Sequence, residues 1–213
     1  MLFIKDMNWK DVTVFQRQQL ETVKTKKDDT ELDKAIKALA ILTNRTESQI
    51  DSLSIKDLNS QLKEIDFIAK GDAKPKAVDF IRVNGRQYKC IFDVRQLPYA
   101  RYIESKFFAD DVLYNCHKIV ASMVMPMKKT WRGWRVAKYD ASKHEEYAQD
   151  LLAAPFESVY GSMVFFCQVF SDSIKSSKDF LISEMIKEGM NPIEAEIIVM
   201  DLCRGMDGFI RLH

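Results

Sequence analysis

The chain has 213 residues, 32 Lys and Arg against 31 Asp and Glu, a formal net charge of +1 and 46% hydrophobic residues. That length holds one large domain or two small ones, and the composition is globular rather than disordered. The near-neutral balance removes any bulk electrostatic case for a nucleic-acid or membrane-surface protein, and 7 glycines with 5 prolines disfavour a loop-rich all-β fold.

The first helix is signalled by Thr13 with Gln16, a capping box ahead of Val14–Lys24. After the charged connector 24–30, Asp29 or Thr30 can cap a helix over 31–43, with Leu32, Ile36, Leu39, Ala40 and Leu42 at roughly helical spacing and Asn44 ending it. Thr46 with Gln49 opens a short helix. Ser54 with Asp57 opens a longer one, on which Ile55, Leu58, Leu62, Ile65 and Ile68 are expected to share a stripe. Residues 12–70 thus read as about four helices with short joints.

GDAKPK, residues 71–76, reads as a linker. It divides an N-terminal helical region, 1–70, from a hairpin-plus-helical region, 77–213, unless the two form one continuous domain. FIRVNGRQYKCIFD, residues 80–93, then breaks the helical pattern. Asn84-Gly85 signals a type I′ turn, whose two central positions need positive φ. With that turn fixed, Ile81, Val83, Tyr88, Cys90 and Phe92 lie on one face, and Arg82, Gln87 and Lys89 on the other. A lone hairpin is marginal in water, so this one is expected to cover the helices of 98–125 or to meet another subunit.

Pro98 can open a helix, and Asp110-Asp111 begin another that Pro126 stops. Residues 127–140 read as irregular, with a turn at Gly133. Ser142 starts a helix to 154, and Pro155 restarts a long helical pattern, through Gly161, to about Glu188. Within it, residues 162–174 are apolar nearly all round and are expected to be buried. Gly189 and Asn191-Pro192 supply a stop and a new start for a last helix ending near Gly205. The fold class is therefore mainly α, or α+β with one small hairpin: a multi-helix, bundle-like architecture with a hairpin insertion.

Motifs for chemistry are scarce. Cys90, Cys116, Cys167 and Cys203 form no CxxC pair and read as reduced, buried small hydrophobes. Cys116 and His117 are adjacent, so on a helix they point about 100° apart and cannot share a metal well. No phosphate loop, dinucleotide fingerprint or nucleophile elbow is present. The acidic pairs Asp28-Asp29, Asp110-Asp111 and Glu145-Glu146 sit at helix starts, where they complement the dipole. No catalytic residue, metal site or cofactor is expected. The opening MLFIKDMNWKD meets charge after four residues, and no apolar run approaches a membrane span, so neither a signal peptide nor a membrane partner is expected.

The distinctive patch is KKTWRGWRVAK, with Trp131, Arg132, Trp134 and Arg135 between lysines. Aromatic and arginine residues together fit protein interfaces or nucleic-acid stacking, and the tryptophans could instead fold onto the core. Candidate interface residues are these four together with Ile81, Val83, Tyr88 and Phe92. Asn84 and Gly85 set the turn.

The order VTVFQRQQLETV, DKAIKALAILTNRTESQIDSLSIKDLNSQLKEIDFI, VNGRQYKCIFDVRQLPYARYIE, NCHKIVASMVMP and SMVFFCQVF, over residues 12–174, resembles small proteins from the tail or neck morphogenesis regions of tailed bacteriophages. The resemblance is especially to those of Bacteroides-type hosts, crAss-like phages included. The WRGW patch and the chain after 175 depart from the pattern. The resemblance implies a non-enzymatic protein: a ring or connector subunit of the portal, neck or tail, or else a transient tail assembly chaperone. Its expected partners are other phage structural proteins and further copies of itself in a ring, and its expected location is the virion, assembled in the host cytoplasm. A nucleic-acid-binding accessory protein is a further alternative, with DNA not expected as the main partner.

Overall fold

The computed structural model describes residues 5–26, 28–71, 74–93 and 111–210, less the side chains of 170, 171, 173–175 and 202–210. The fold is mainly α with one small antiparallel sheet. In chain order come a 3-10 turn Trp9–Asp11, α1 Val14–Thr25, α2 Glu31–Thr43, α3 Glu47–Asp51, α4 Ile55–Glu64 and a 3-10 turn Asp66–Ile68. Then follow β1 Phe80–Val83, β2 Arg86–Cys90, α5 Val112–Met123, β3 Val124–Thr130, β4 Gly133–Val136, α6 His144–Leu152, α7 Phe156–Lys187 and α8 Pro192–Ile210. The helix expected from Pro98 lies outside the described residues.

The N-terminal helices start where their caps dictate. Thr13, Thr30 and Thr46 each accept from the N3 backbone amide while the N3 side chain reaches back, and Ser54 accepts from Asp57 N. Asn44 ends α2 in the left-handed region at φ 52°, with Arg45 N–H donating to Ala40 C=O at 2.9 Å, a Schellman closure. Leu20, Leu39, Leu42, Ile50 and Leu53 form the core of this part. The stripe expected on the fourth helix is shorter than its spacing implies. Ile55, in the first turn, is 79% exposed, and the helix gives way to a 3-10 turn before Ile68.

A second core gathers the sheet and the later helices. Trp9 joins it to the first, lying edge-on to Phe67 at 5.3 Å and tilted on Phe156 at 6.2 Å. The backbone is stitched at the same place: Val14 N–H donates to Ala154 C=O at 3.0 Å, and Phe156 N–H to Val12 C=O at 2.8 Å.

The β1–β2 hairpin has the expected register, Val83 opposite Arg86 and Ile81 opposite Tyr88, with φ of 50° at Asn84 and 74° at Gly85. It is not alone. β2 pairs with β3 and β3 with β4, giving the order β1-β2-β3-β4. The helix expected to run to Pro126 stops at Met123, and the stretch expected to be irregular forms the second hairpin. Space around Gly85 is open, so a side chain there meets only backbone strain. Gly85→Val is expected to cost about 1–2 kcal/mol, a fall in Tm of roughly 2–8 °C by calorimetry.

α7 is 32 residues, about 48 Å at 1.5 Å per residue. Phe156, Val159, Met163, Phe166 and Cys167 in its first half are buried, whereas Phe165, in the stretch expected to be buried all round, is 42% exposed. Beyond Cys167 no described residue of α7 is buried. α7 ends in a Schellman motif, with Met190 N–H on Met185 C=O and Gly189 N–H on Ile186 C=O, both 3.0 Å, and Gly189 at φ 95°. α8 folds back along α7 and packs on no other described element to a comparable extent. The second half of α7 and α8 thus form a helical arm.

Candidate functional site

The sequence-predicted residues separate into two groups. Ile81, Val83 and Tyr88 are buried in the chain's own core, with 1%, 7% and 1% of their surface exposed, and so lie over the helices rather than on a surface that a partner could reach. Phe92 is partly buried and meets Phe165 edge-on at 4.9 Å. The hairpin is pinned by charge at its turn. Arg86 Nη1 donates to Glu146 at 2.6 Å and Asp150 at 2.8 Å on α6, and the Tyr88 hydroxyl donates to the same Asp150. Burial, and then the bond to Asp150, raise the Tyr88 phenol, so it stays a donor.

Trp131, Arg132, Trp134 and Arg135 occupy the second hairpin, and there the surface is open. The turn between β3 and β4 projects Trp131 with 87% of its area exposed, and the Arg132 guanidinium lies 4.3 Å from its ring centroid. Trp134 is 39% exposed, and every residue of β4 is exposed, so the reading in which both tryptophans fold onto the core does not hold here. The four strands carry Arg82, Arg86, Lys89, Lys128, Lys129 and Arg135 and no acid. Lys128 stands directly opposite Arg135, a like-charge pair that is unfavourable across two strands. Among the described residues, Lys128, Lys129, Arg132 and Arg135 form no ion pair.

The arm supplies a surface that the sequence reading did not single out. Ala195 and Val199, at i and i+4, are 0% and 1% exposed on a helix whose main described packing partner is α7. Ile193, Ile197 and Met200, at i, i+4 and i+7, are 69%, 53% and 40% exposed and run along the opposite side. At 100° per residue, Glu194 and Glu196 flank that stripe on either side. The helix is apolar nearly all round, so period alone does not say which face is inside.

A cleft of about 320 Å³ opens between α1, α2 and α4, walled by Trp9, Leu20, Val23, Ala38, Leu62 and Ile65 together with the charged residues Arg17, Lys24, Glu31, Lys34 and Asp66. Among the described residues no group of three metal-ligating side chains comes together, and no helix is long and apolar enough to cross a membrane.

The titratable groups of the second core are set by burial. The Cys90 thiol is pushed up to about 11, and those of Cys116 and Cys167 to about 12. All three are buried and reduced; the Cys203 side chain lies outside the described ones. His117 is 5% exposed, and its Nδ1 lies 3.3 Å from Gln18 Nε2 on α1. Burial, with Lys118 beside it, holds its pKa at about 4, below the ordinary 6.5. Between those values the unfolded chain binds a proton that the folded one does not. Stability from this group is therefore complete above pH 6.5 and is lost as pH falls towards 4, by at most about 3 kcal/mol. Thermal melts of the protein and of His117→Gln between pH 7.5 and 4.5 check this: the variant is expected to lose that part of the slope.

No protein-family model, curated protein or solved structure matches the chain significantly.

Proposed function

We propose that the protein is a non-enzymatic bacteriophage structural protein of the portal, neck or tail region, acting through protein–protein contacts as a ring or connector subunit. The observation that carries this is the apolar stripe Ile193, Ile197 and Met200 on the outer side of the arm. Apolar anchors at i, i+4 and i+7 are how a helix presents itself to another protein's groove or helix. Burying each isoleucine is worth about 1.5–3 kcal/mol, so the stripe favours a covered state. Trp131 at the tip of the second hairpin adds an exposed residue of the type that dominates interfaces. The likeness to phage morphogenesis proteins supplies the setting: the virion, assembled in the bacterial host cytoplasm.

The cleft between α1, α2 and α4 favours a second reading, a transient tail assembly chaperone, because a concave apolar site suits a client segment. Quantitative mass spectrometry separates the two. A ring subunit is present in purified particles at a fixed ratio to the portal or tail proteins. A chaperone is absent from particles and co-purifies with a tail protein from infected cells. Finding neither overturns both.

A further inference from the structure

We infer that the tip of the β3–β4 hairpin in one copy docks on the outer side of α8 in the next copy, a head-to-tail contact between two different surfaces of the same chain. The inference rests on the ring reading and names its interface.

The two surfaces complement each other in charge, and each presents apolar side chains. The hairpin offers a projecting tryptophan, Trp131, with Arg132 against its ring and Lys128, Lys129 and Arg135 on the two strands beside it, and with no acid in any strand of the sheet. The arm offers an apolar stripe, Ile193, Ile197 and Met200, bordered by Glu194 and Glu196. An aromatic anchor seats on the stripe while the surrounding cations meet the flanking carboxylates. That neutralises the Lys128–Arg135 opposition, which nothing else among the described residues relieves.

Among the described residues nothing covers either surface: Trp131 is 87% and Ile193 69% exposed. The contact is therefore between chains. Because it joins unlike patches it is heterologous, and repeated contacts of that kind close into a ring or extend as a filament. A second copy fits better than nucleic acid as the occupant. The chain as a whole carries only +1, and the acidic, apolar counterpart is already present on it.

Charge exchange tests this. Four samples are compared by light scattering at low salt: wild type, Lys128→Glu/Arg135→Glu, Glu194→Lys/Glu196→Lys, and an equimolar mixture of the two variants. Circular dichroism melts check that each variant is folded. Wild type is expected to run as a multiple of 24.7 kDa and each variant as a monomer, while the mixture returns to high mass, because each contact between the two variants sets positions 128 and 135 against charges of opposite sign on the arm. Trp131→Ala is expected to weaken self-association at least about tenfold, as loss of a hot-spot aromatic does.

A wild type that stays oligomeric while both charge variants keep its mass overturns this contact and leaves the ring reading standing. A mixture that stays monomeric also overturns it, as does an oligothymidine ligand whose binding, but not the protein's mass, is lost in Lys128→Glu/Arg135→Glu. A monomeric wild type removes the ring reading itself.

Discussion

Gly161→Ala is expected to lower the unfolding free energy by about 3 kcal/mol or more, a fall in Tm of roughly 6–12 °C. A Cβ built at Gly161 falls 2.2 Å from Lys76 N and 2.5 Å from Lys76 C and O. The obstacle is backbone, so no side-chain rotation relieves it. The segment leading into β1 crosses α7 at this glycine. One residue on, Ser162, fully buried, accepts from Val78 N–H at 3.3 Å, and its hydroxyl lies 3.8 Å from Cys90 Sγ. Alanine is the better helix former by about 1 kcal/mol, so on helix propensity alone the substitution would stabilise. The two effects have opposite signs, and the crossing wins because a 2.2 Å approach cannot persist. Calorimetry of Gly161→Ala decides between them: a raised Tm would mean that residues 74–78 do not cross α7 there.

Much of this architecture is legible in the chain because its signals are local. The threonine and serine caps with their N3 partners place four helix starts, and Asn84-Gly85 fixes the first hairpin's register. Asn191 opens the last helix as its position before Pro192 implies, with Oδ1 accepting from Ile193 N–H at 2.9 Å.

The second hairpin was not legible, and the reason is Pro126. A proline inside a run of residues argues against a central strand, because it lacks the ladder donor. Its missing N–H points to the β4 side, level with Ala137, just past the last residue of β4, and its carbonyl still accepts from Ala137 N–H at 2.8 Å. At most one bond is forfeited, and the pairing of Tyr88 with Pro126 towards β2 is unaffected. Gly161 was illegible for another reason: nothing in a single sequence links a mid-helix glycine to a backbone segment 85 positions earlier. The α8 stripe was hidden by excess, since Ile193, Ala195, Ile197, Ile198, Val199 and Met200 offer several faces and only packing against α7 selects the outer one.

Ile193→Asp/Ile197→Asp is expected to abolish self-association while leaving the chain's own stability within about 0.5 kcal/mol, as surface substitutions do. Both side chains are more than half exposed, so neither supports the fold. In a contact each is worth about 1.5–3 kcal/mol of burial, together roughly 10²- to 10⁴-fold in the association constant. The carboxylates would add a desolvation cost, since an unpaired charge cannot enter an apolar interface cheaply. Sedimentation velocity with parallel thermal melts separates the two effects. A variant that both dissociates and melts early would place the isoleucines in the fold rather than in a contact.

The most direct test of the central claim, that this chain works by assembling, is the wild-type mass in solution, measured by light scattering over a concentration series. A defined multiple of 24.7 kDa that holds on dilution through the micromolar range is expected. A mass of 24.7 kDa at every concentration, with no phage protein co-purifying from infected cells, would contradict it.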